Sequence, residues 1–291
     1  MTIFAIVLVV LSAAMHAGRN YLTKKAGDKQ AFVWWYEIVG LLLFTPLFSA
    51  YFHSTALDTP DCWLLIMISG LLHFAYWVFL TKALENGDLS LVYPITRSSP
   101  ALVLLISMIV LNEDVSPGGA AGILLVAAGS YCINMHKLSL KALARPVVSL
   151  STDRAIQFAL LTLLSVTAYS IVDKIAVATI HPVVFAYLYP LISMLLFSRY
   201  LGVRKNWHRM KTEWCSNRSA ILICGVLSIF GYFLILVAFT VDRVSYIVGL
   251  RQLSIVFAVL LGGFALNEEH RAIRLTFALV VFAGTFLIAT G

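Results

Sequence analysis

Apolar stretches of about 20 residues follow one another along almost the whole chain, and this feature restricts the possible folds more than any other. A stretch of that length crosses a bilayer as an α-helix, in which each backbone group finds its partner within the segment. The stretches lack polar alternation, which excludes a membrane β-barrel. We predict ten spans, at about 2–21, 31–52, 62–84, 89–111, 116–135, 154–178, 182–203, 218–241, 243–266 and 270–290.

Composition and charge agree with a protein embedded in lipid. The chain is 60% hydrophobic and 12% charged, whereas soluble domains are about half apolar and about a quarter charged. The net charge of +7 does not indicate nucleic-acid binding, because the basic residues lie in loops between spans. Nearly all of them fall in odd-numbered loops, which places these loops in the cytoplasm and both termini outside. We expect a multi-pass protein of the inner or plasma membrane.

The chain contains an internal repeat. A shift of 155 positions carries Gly70 onto Gly225, Ser99 onto Ser254 and Glu113 onto Glu268. The predicted halves, 1–136 and 154–291, are joined by a basic loop at 137–153, and each holds five spans. Because five is odd, the second half is expected to lie upside down relative to the first. Inverted repeats that meet at the midplane are typical of secondary transporters.

Two arginines lie inside predicted spans at nearly the same depth in each half. Arg97 is in the fourth span and Arg251 is in the ninth, where Gln252 corresponds to Arg97 by the repeat. Because a charge at that depth costs several kcal/mol, both arginines are candidates for binding an anion such as a carboxylate or phosphate. The alternative is a structural ion pair with Glu37, or hydrogen bonds to carbonyls at a helix break. Prolines on both sides of Arg97 predict a kinked or broken fourth helix.

Further polar and aromatic side chains are candidates for the wall of a binding pocket. Four tyrosines and one asparagine complete the predicted substrate site: Tyr76, Tyr93, Tyr232, Tyr246 and Asn20. About half of the aromatic residues are expected to be core or interface residues instead. Three residues are candidates for carrying a coupling proton: Glu37, His16 and Asp173.

Each proton candidate also has a structural interpretation. Glu37 lies only about 9 Å into its span, near tryptophans typical of the interface. His16 is equally consistent with a histidine hydrogen-bonded to a neighbouring helix. Asp173, adjacent to Lys174, is consistent with an exposed helix end. Glu113 and Glu268 are expected to cap the helices that follow them.

No motif in the sequence indicates catalysis, a metal site or a cofactor. The four cysteines are dispersed, without the spacing of a zinc site or a disulfide framework. We therefore expect a protein that is not an enzyme and needs no cofactor, acting as a monomer or homodimer in the lipid bilayer on a small-molecule substrate.

Several of these segments resemble the drug/metabolite transporter superfamily, with its repeated EamA-type domain. They are His16-Ala17-Gly18-Arg19-Asn20, Gly87-Asp88-Leu89-Ser90-Leu91-Val92-Tyr93-Pro94, Leu111-Asn112-Glu113 and Leu266-Asn267-Glu268. The resemblance covers the whole chain. It implies an all-α integral membrane protein with ten transmembrane helices, arranged as two inverted five-helix repeats around a central cavity.

The resemblance also implies alternating access, with export or exchange of amino acids, amines or other small metabolites. Combined with the buried arginines, it predicts a secondary transporter for a small polar solute that carries an anionic group. One alternative is a flippase or permease for a phosphate-bearing or lipid-linked substrate. A membrane enzyme that modifies lipids is disfavoured, because the sequence lacks a nucleophile or metal cluster at an interface.

Overall fold

The structure of the protein is a computed structural model that describes residues 1–53, 57, 59–87, 89–133, 152–203, 205–265 and 271–291. All regular elements in these ranges are α-helices. They are α1 (Ile3–Lys25), α2 (Lys29–Phe52), α3 (Pro60–Asn86), α4 (Leu89–Thr96), α5 (Ser99–Val110), α6 (Pro117–Cys132), α7 (Arg154–Ala176), α8 (Pro182–Tyr200), α9 (Trp207–Val241), α10 (Val244–Arg251), α11 (Leu253–Ala265) and α12 (Arg271–Thr290). Most of the predicted basic loop at 137–153 lies outside the described residues.

The helices have the length and surface of membrane spans. Within the described ranges, eight helical segments are long and apolar enough to cross a bilayer, and two shorter apolar ones lie at Pro117–Cys132 and Val244–Leu260. Large apolar side chains lie exposed on the outer faces, among them Ile109 at 74% and Leu279 at 68%. In water such a surface would be a liability, whereas lipid solvates it. The chain is therefore a multi-pass membrane protein.

Two of the spans are broken at positions related by the repeat. The first break, at Arg97 and Ser98, separates α4 from α5, as predicted from the flanking prolines. Pro94 cannot donate a backbone hydrogen bond. At the break the Ser98 amide donates to the Ile95 carbonyl, and the Ser98 hydroxyl donates to the Pro94 carbonyl at 2.8 Å. The second break, at Gln252, separates α10 from α11. No proline lies beside it, and Gly249 stands where the first half has Pro94.

Helix α9 begins earlier than the sequence predicted. It extends from Trp207, where a loop was expected up to 217, and is kinked at Asn217, whose φ of −130° is not helical. The segment before the kink packs on the start of α2. There Trp35 donates to the carbonyl of Met210 at 2.8 Å, and the Asp28 amide donates to Glu213 at 2.9 Å. These contacts hold the segment against the bundle.

Helices of one half pack mainly against helices of the other half, and the pattern is the same in both directions. Helix α1 packs on α9, α10 and α11, while α7, its counterpart in the second half, packs on α3, α4 and α5. Likewise α2 packs on α9 and α8 packs on α3, and α6 pairs with α12. The last pair approaches closely at Gly122 and Gly284, where a Cβ atom on either residue would lie 2.7 Å from the other's carbonyl oxygen. Only glycine permits this approach of two backbones.

Both chain termini lie at one end of the helix bundle, called the terminal end below. The Thr2 amide donates to Asp242 at 2.9 Å, and Gly291 lies beside Ser116. Lys174 donates to the carbonyls of Phe239 and Asp242, at the C-terminus of α9, at 2.5 and 2.7 Å. A cation at that position complements the helix dipole.

Glu113 caps a helix of the other half, so the prediction that it caps the helix following it was wrong. Its carboxylate accepts from the Val244 amide at 2.5 Å, from the Ser245 amide at 3.2 Å and from the Ser245 hydroxyl at 2.6 Å. The preceding Asn112 has a φ of 51°, and this left-handed turn precedes the capping carboxylate. Helix α6 is instead capped by Ser116. Glu268 lies outside the described residues.

Candidate functional site

A cavity of about 90 Å³ lies between the two halves. Its wall consists of His16, Arg19, Glu37, His73, Tyr76, Trp77, Tyr169, Ala186, Tyr189, Pro190, Ser193, Met194, Ser228, Ile229, Tyr232, Phe233 and Arg251. Within the described part of the chain, no three His, Cys, Asp or Glu side chains lie close enough to hold a metal ion. The cavity is instead lined by aromatic rings and by side chains of both charges.

One wall is organised around Arg19, six residues before the end of α1. Its guanidinium donates to the Ser228 hydroxyl at 3.0 Å and contacts His16 Nδ1 at 2.9 Å. Because a guanidinium only donates, His16 Nδ1 must accept, which leaves the ring proton on Nε2. Ser228 in turn donates to Glu37 at 2.8 Å. A hydroxyl therefore bridges a half-buried arginine and a half-buried glutamate, which lie on different helices.

Arg19 has N–H groups that no described residue uses. Its Nε is buried and has no hydrogen-bond partner among the described residues. Its ring neighbour is Tyr36, whose centroid lies 5.8 Å from the guanidinium carbon. An unsatisfied buried donor costs about 1–3 kcal/mol. The cavity wall thus contains a cationic group that is ready to donate to a further acceptor.

A second cluster, beside the cavity, is organised around Asp173 on α7, which is fully buried. One carboxylate oxygen accepts from the Ser69 hydroxyl and the other from the Tyr232 hydroxyl, each at 2.6 Å. His73 Nε2 lies 3.7 Å from the carboxylate. Asp173 was expected at an exposed helix end in its structural interpretation, and the structure contradicts that interpretation, because α3 and α9 cover the side chain.

Arg251 and Arg97 occupy different surroundings. Arg251 lies in the cavity wall, with its guanidinium carbon 5.0 Å from the centroid of the Tyr232 ring. Arg97 lies 5.9 Å from the ring of Tyr93 and does not line the cavity. The charges of Arg97, Arg19 and Arg251 all act on the Tyr76 hydroxyl. The cavity wall therefore contains two arginines, Arg19 and Arg251, together with the carboxyl group of Glu37.

Comparison with known proteins identifies the family. The model of the EamA-like transporter family matches residues 3–135 and 153–290, which is nearly the whole chain in two copies. The chain belongs to the EamA-like transporter family. This family is consistent with the drug/metabolite transporter superfamily that the sequence motifs suggested.

Structures of other proteins support the same fold. A solved structure described as "Crystal structure of protein" matches with a TM-score of 0.69 at 16% identity, covering 98% of this chain and 96% of the other. At that identity the match shows the fold alone. No curated protein matches the chain. The family assignment therefore identifies the chain as an EamA-like membrane transporter and leaves its substrate unspecified.

Within this EamA-like fold, the predicted substrate residues fall into two groups. Arg251, Tyr76 and Tyr232 line the cavity, as do two of the proton candidates, Glu37 and His16. The third, Asp173, adjoins the cavity through Tyr232. The remaining predicted substrate residues are not in its wall: Arg97, Gln252, Tyr93, Tyr246 and Asn20.

The structure shows where two of these residues, Tyr246 and Gln252, lie instead of in the cavity wall. Tyr246 is fully buried at the terminal end, where its hydroxyl lies 3.1 Å from the Ser116 amide. Gln252 forms the break between α10 and α11 and is 8% exposed. Its neighbour Arg251 is the residue in the wall, because the helix ends between them. Tyr246 and Gln252 therefore lie outside the cavity wall, and their part in substrate binding stays a prediction.

The prediction also omitted residues that the structure brings into the wall. Arg19 was not among the predicted site residues; the predicted span ended at 21, whereas α1 continues to Lys25. His73 was not considered. The repeat could have indicated His73, because a shift of 155 carries it onto Ser228, which binds Arg19. The same shift carries Ser69 onto Cys224, whose thiol contacts the Arg19 carbonyl at 3.9 Å.

Proposed function

We propose that this chain is a secondary transporter that exports or exchanges a small polar metabolite bearing an anionic group. The observation that carries the proposal is the cavity between the halves, whose wall contains the guanidiniums of Arg19 and Arg251. Guanidinium groups bind carboxylates in a planar, bidentate manner. Burying two of them has no evident structural benefit unless an anion occupies the space.

The proposed substrate is held at its anionic end by Arg251 and Arg19. The Arg19 guanidinium has five N–H groups, and two of them contact Ser228 and His16, so donors remain for the solute. Glu37, on the same wall, offers a negative charge to a cationic group of the solute. Aromatic rings on both sides exclude water from the remaining surface. Amino acids carry both charges, so they are the first class of solute to test, ahead of simple organic anions.

Movement of the solute is proposed to follow alternating access around this one site. Ten spans form two inverted five-helix repeats, 1–136 and 154–291, joined by the loop 137–153. The packing of α1 with α9 and of α7 with α3 supports a pseudo-twofold relation between the halves. Rocking of one half against the other would open the cavity to each side in turn. The Glu113 cap on α10 would break whenever the terminal end opens.

The orientation of the protein is part of the same proposal. The excess of Lys and Arg in odd-numbered loops favours both termini outside the cytoplasm. The terminal end, with Glu113 and Asp242, then faces outward. The proposed transporter lies in the inner or plasma membrane, is a monomer or homodimer and needs no cofactor.

Flux in proteoliposomes tests the proposal, with labelled L-amino acids and small carboxylates supplied as separate pools. Arg251→Ala removes a charge-assisted interaction of about 1.5–3 kcal/mol, so flux of the preferred solute should fall about 10- to 150-fold. Arg251→Lys keeps the charge without the planar fork and should retain part of the flux.

The matched control is Arg243→Ala. Arg243 is the residue before α10, and its guanidinium carbon lies 4.7 Å from the centroid of Tyr246, but it is outside the cavity wall. Its loss should leave flux near that of the unmodified protein. Equal flux in Arg251→Ala and Arg243→Ala would remove Arg251 from the binding site. A phosphate-bearing solute carried in place of both pools would favour the alternative permease.

A further inference from the structure

We propose that His73 and Asp173 together bind one proton, and that Tyr232 links this proton site to the anion site at Arg251. The role of this site in transport rests on the proposed function. The proton site itself follows from the geometry of His73, Asp173, Ser69 and Tyr232. His73 is absent from the sequence prediction.

Asp173 lacks the partners that a permanently ionised buried carboxylate requires. It is fully buried, and its hydrogen bonds come from two neutral hydroxyls, those of Ser69 and Tyr232. No described lysine or arginine is ion-paired with it. Burial of an ionised carboxylate without a paired cation is costly, and two neutral donors offset only part of that cost. Binding of a proton removes the charge and most of the cost.

The orientation of His73 supplies the second half of the site. Its Nδ1 lies 3.0 Å from the Ser69 carbonyl oxygen, which can only accept, so Nδ1 carries a proton. In the neutral ring Nε2 then has a bare lone pair. Nε2 has no hydrogen-bond partner in the described part of the protein and lies 3.7 Å from an Asp173 oxygen. The Nε2 lone pair of His73 and the Asp173 carboxylate oxygen therefore face each other as two acceptors, which repel. A single proton on either atom would allow a hydrogen bond between them.

Aromatic rings from three helices enclose the imidazole of His73. Tyr169 stacks on the His73 ring with centroids 4.0 Å apart, and Tyr189 lies at 4.4 Å. Aromatic faces stabilise a cationic imidazolium. The edge of Tyr232 completes the enclosure at 5.6 Å. These rings come from α7, α8 and α9, so each helix around the imidazole contributes one.

The charged and titratable groups on the remaining helices are few. From α10, the charge of Arg251 acts on both His73 and Asp173. Lys174, next to Asp173 on α7, donates instead to carbonyls at the terminal end. The break between α4 and α5, which also pack on α7, contributes Arg97, and α4 contributes Tyr93; neither is hydrogen-bonded or ion-paired to Asp173 in the described structure.

Tyr232 connects the proton site to the cavity. Its hydroxyl donates to Asp173 while its ring lies 5.0 Å from the guanidinium carbon of Arg251. An anion bound at Arg251 neutralises the positive charge that acts on Asp173, and this favours uptake of a proton. By thermodynamic linkage, the proton favours the anion by the same factor. Proton and anion therefore bind together and cross together, so each solute molecule that crosses during exchange is accompanied by a proton.

Infrared difference spectroscopy of the full-length protein in lipid bilayers, recorded between high and low pH, tests the proton site without any substrate. We expect a pH-dependent carboxylic or imidazole band that disappears in Asp173→Asn. Asp61→Asn, which changes an exposed aspartate at the start of α3, should keep it. If Asp173→Asn fails to fold, Tyr232→Phe provides the test, because a carboxyl that loses a donor absorbs at higher frequency. Spectra that are identical in the unmodified protein and in Asp173→Asn or Tyr232→Phe would overturn the inference.

Proton flux separates this inference from the proposed function. Proteoliposomes that contain a pH-sensitive dye receive a mixture of neutral L-amino acids, and we expect solute entry to acidify the lumen. Accumulation driven by a pH gradient should fall at least 10-fold in Asp173→Asn and stay unchanged in Asp61→Asn. If the infrared band titrates but amino acids cause no proton movement, the result would support the proton site and reject amino acids as the substrate class. Solute movement without proton movement, together with unaltered spectra, would overturn the site and keep the transporter.

Discussion

The cap that Glu113 places on α10 joins the two halves at the terminal end, and its removal should loosen that end measurably. The Glu113→Gln substitution preserves the size of the side chain and one acceptor oxygen but removes the negative charge. The three donors affected are the amides of Val244 and Ser245 and the Ser245 hydroxyl. Because α10 carries Arg251 at its other end, movement of its first turn would be transmitted toward the cavity.

The expected magnitude follows from the contacts. A hydrogen bond to a charged group contributes about 1.5–3 kcal/mol, roughly twice a neutral one. The interaction of the charge with the helix N-terminus contributes about 0.3–1 kcal/mol more. We expect the loss of charge to cost about 2–3 kcal/mol in total, after allowing for the bonds that glutamine still accepts. At about 1.4 kcal/mol for each factor of ten, the first turn of α10 should open about 30- to 150-fold more often.

Hydrogen–deuterium exchange of the protein in lipid nanodiscs measures this opening at the two amides. A peptide that contains Val244 and Ser245 should exchange faster in Glu113→Gln by that factor. The control is Glu85→Gln, at an exposed position near the end of α3, which should not alter the same peptide. Unchanged protection of Val244 and Ser245 in Glu113→Gln would refute the reasoning, because the carboxylate would then not hold the helix.

Two further predictions concern stability. At Gly122 a Cβ atom would lie 2.7 Å from the Gly284 carbonyl oxygen, so Gly122→Ala should lower the free energy of unfolding by about 1–3 kcal/mol. Gly118→Ala, at a position with open space, is the control, and equal melting temperatures would contradict the close approach. Arg209 donates to Asp28 at 2.7 Å and holds the pKa of that carboxyl below its usual range. This pair stabilises the fold above the usual Asp pKa, and the contribution disappears as the pH falls through the lowered value. Asp28→Asn should therefore cost about 0.2–1 kcal/mol at pH 7 and nothing below that pKa, and a melting-temperature loss that is the same at both pH values would contradict it.

The helical architecture follows from the sequence because the bilayer imposes it. Length and hydropathy indicate the apolar helices, and the prolines around Arg97 predict the first break. The second break, at Gln252, has no proline beside it, so only the repeat could indicate it. The helical segment from Trp207 was missed because its charged residues resemble a loop, and its order depends on packing against Trp35 and Asp28 in another helix.

The site was predictable only in part, because depth in the membrane does not determine which way a side chain points. Arg97 and Arg251 lie at similar depths, yet only Arg251 lines the cavity. Each lies at a helix break, where the regular angle between successive residues is interrupted. Residue spacing therefore no longer predicts which face of the helix a side chain occupies. Arg19 was not predicted to line the site; the predicted span ended at 21, two residues after it, whereas the helix extends to Lys25. The role of His73 depends on three aromatic rings from other helices, which one span alone does not reveal.

The central claim is that one cavity between the halves is reached from both sides of the membrane. Ser193 lies in the cavity wall and is small enough to replace. We would introduce Ser193→Cys in a variant whose four native cysteines are replaced by alanine, and label it with a membrane-impermeant maleimide from each side in turn. Our account predicts labelling from both sides, with labelling from the terminal end increased by Glu113→Gln. Labelling from one side only, with and without Glu113→Gln, would contradict it.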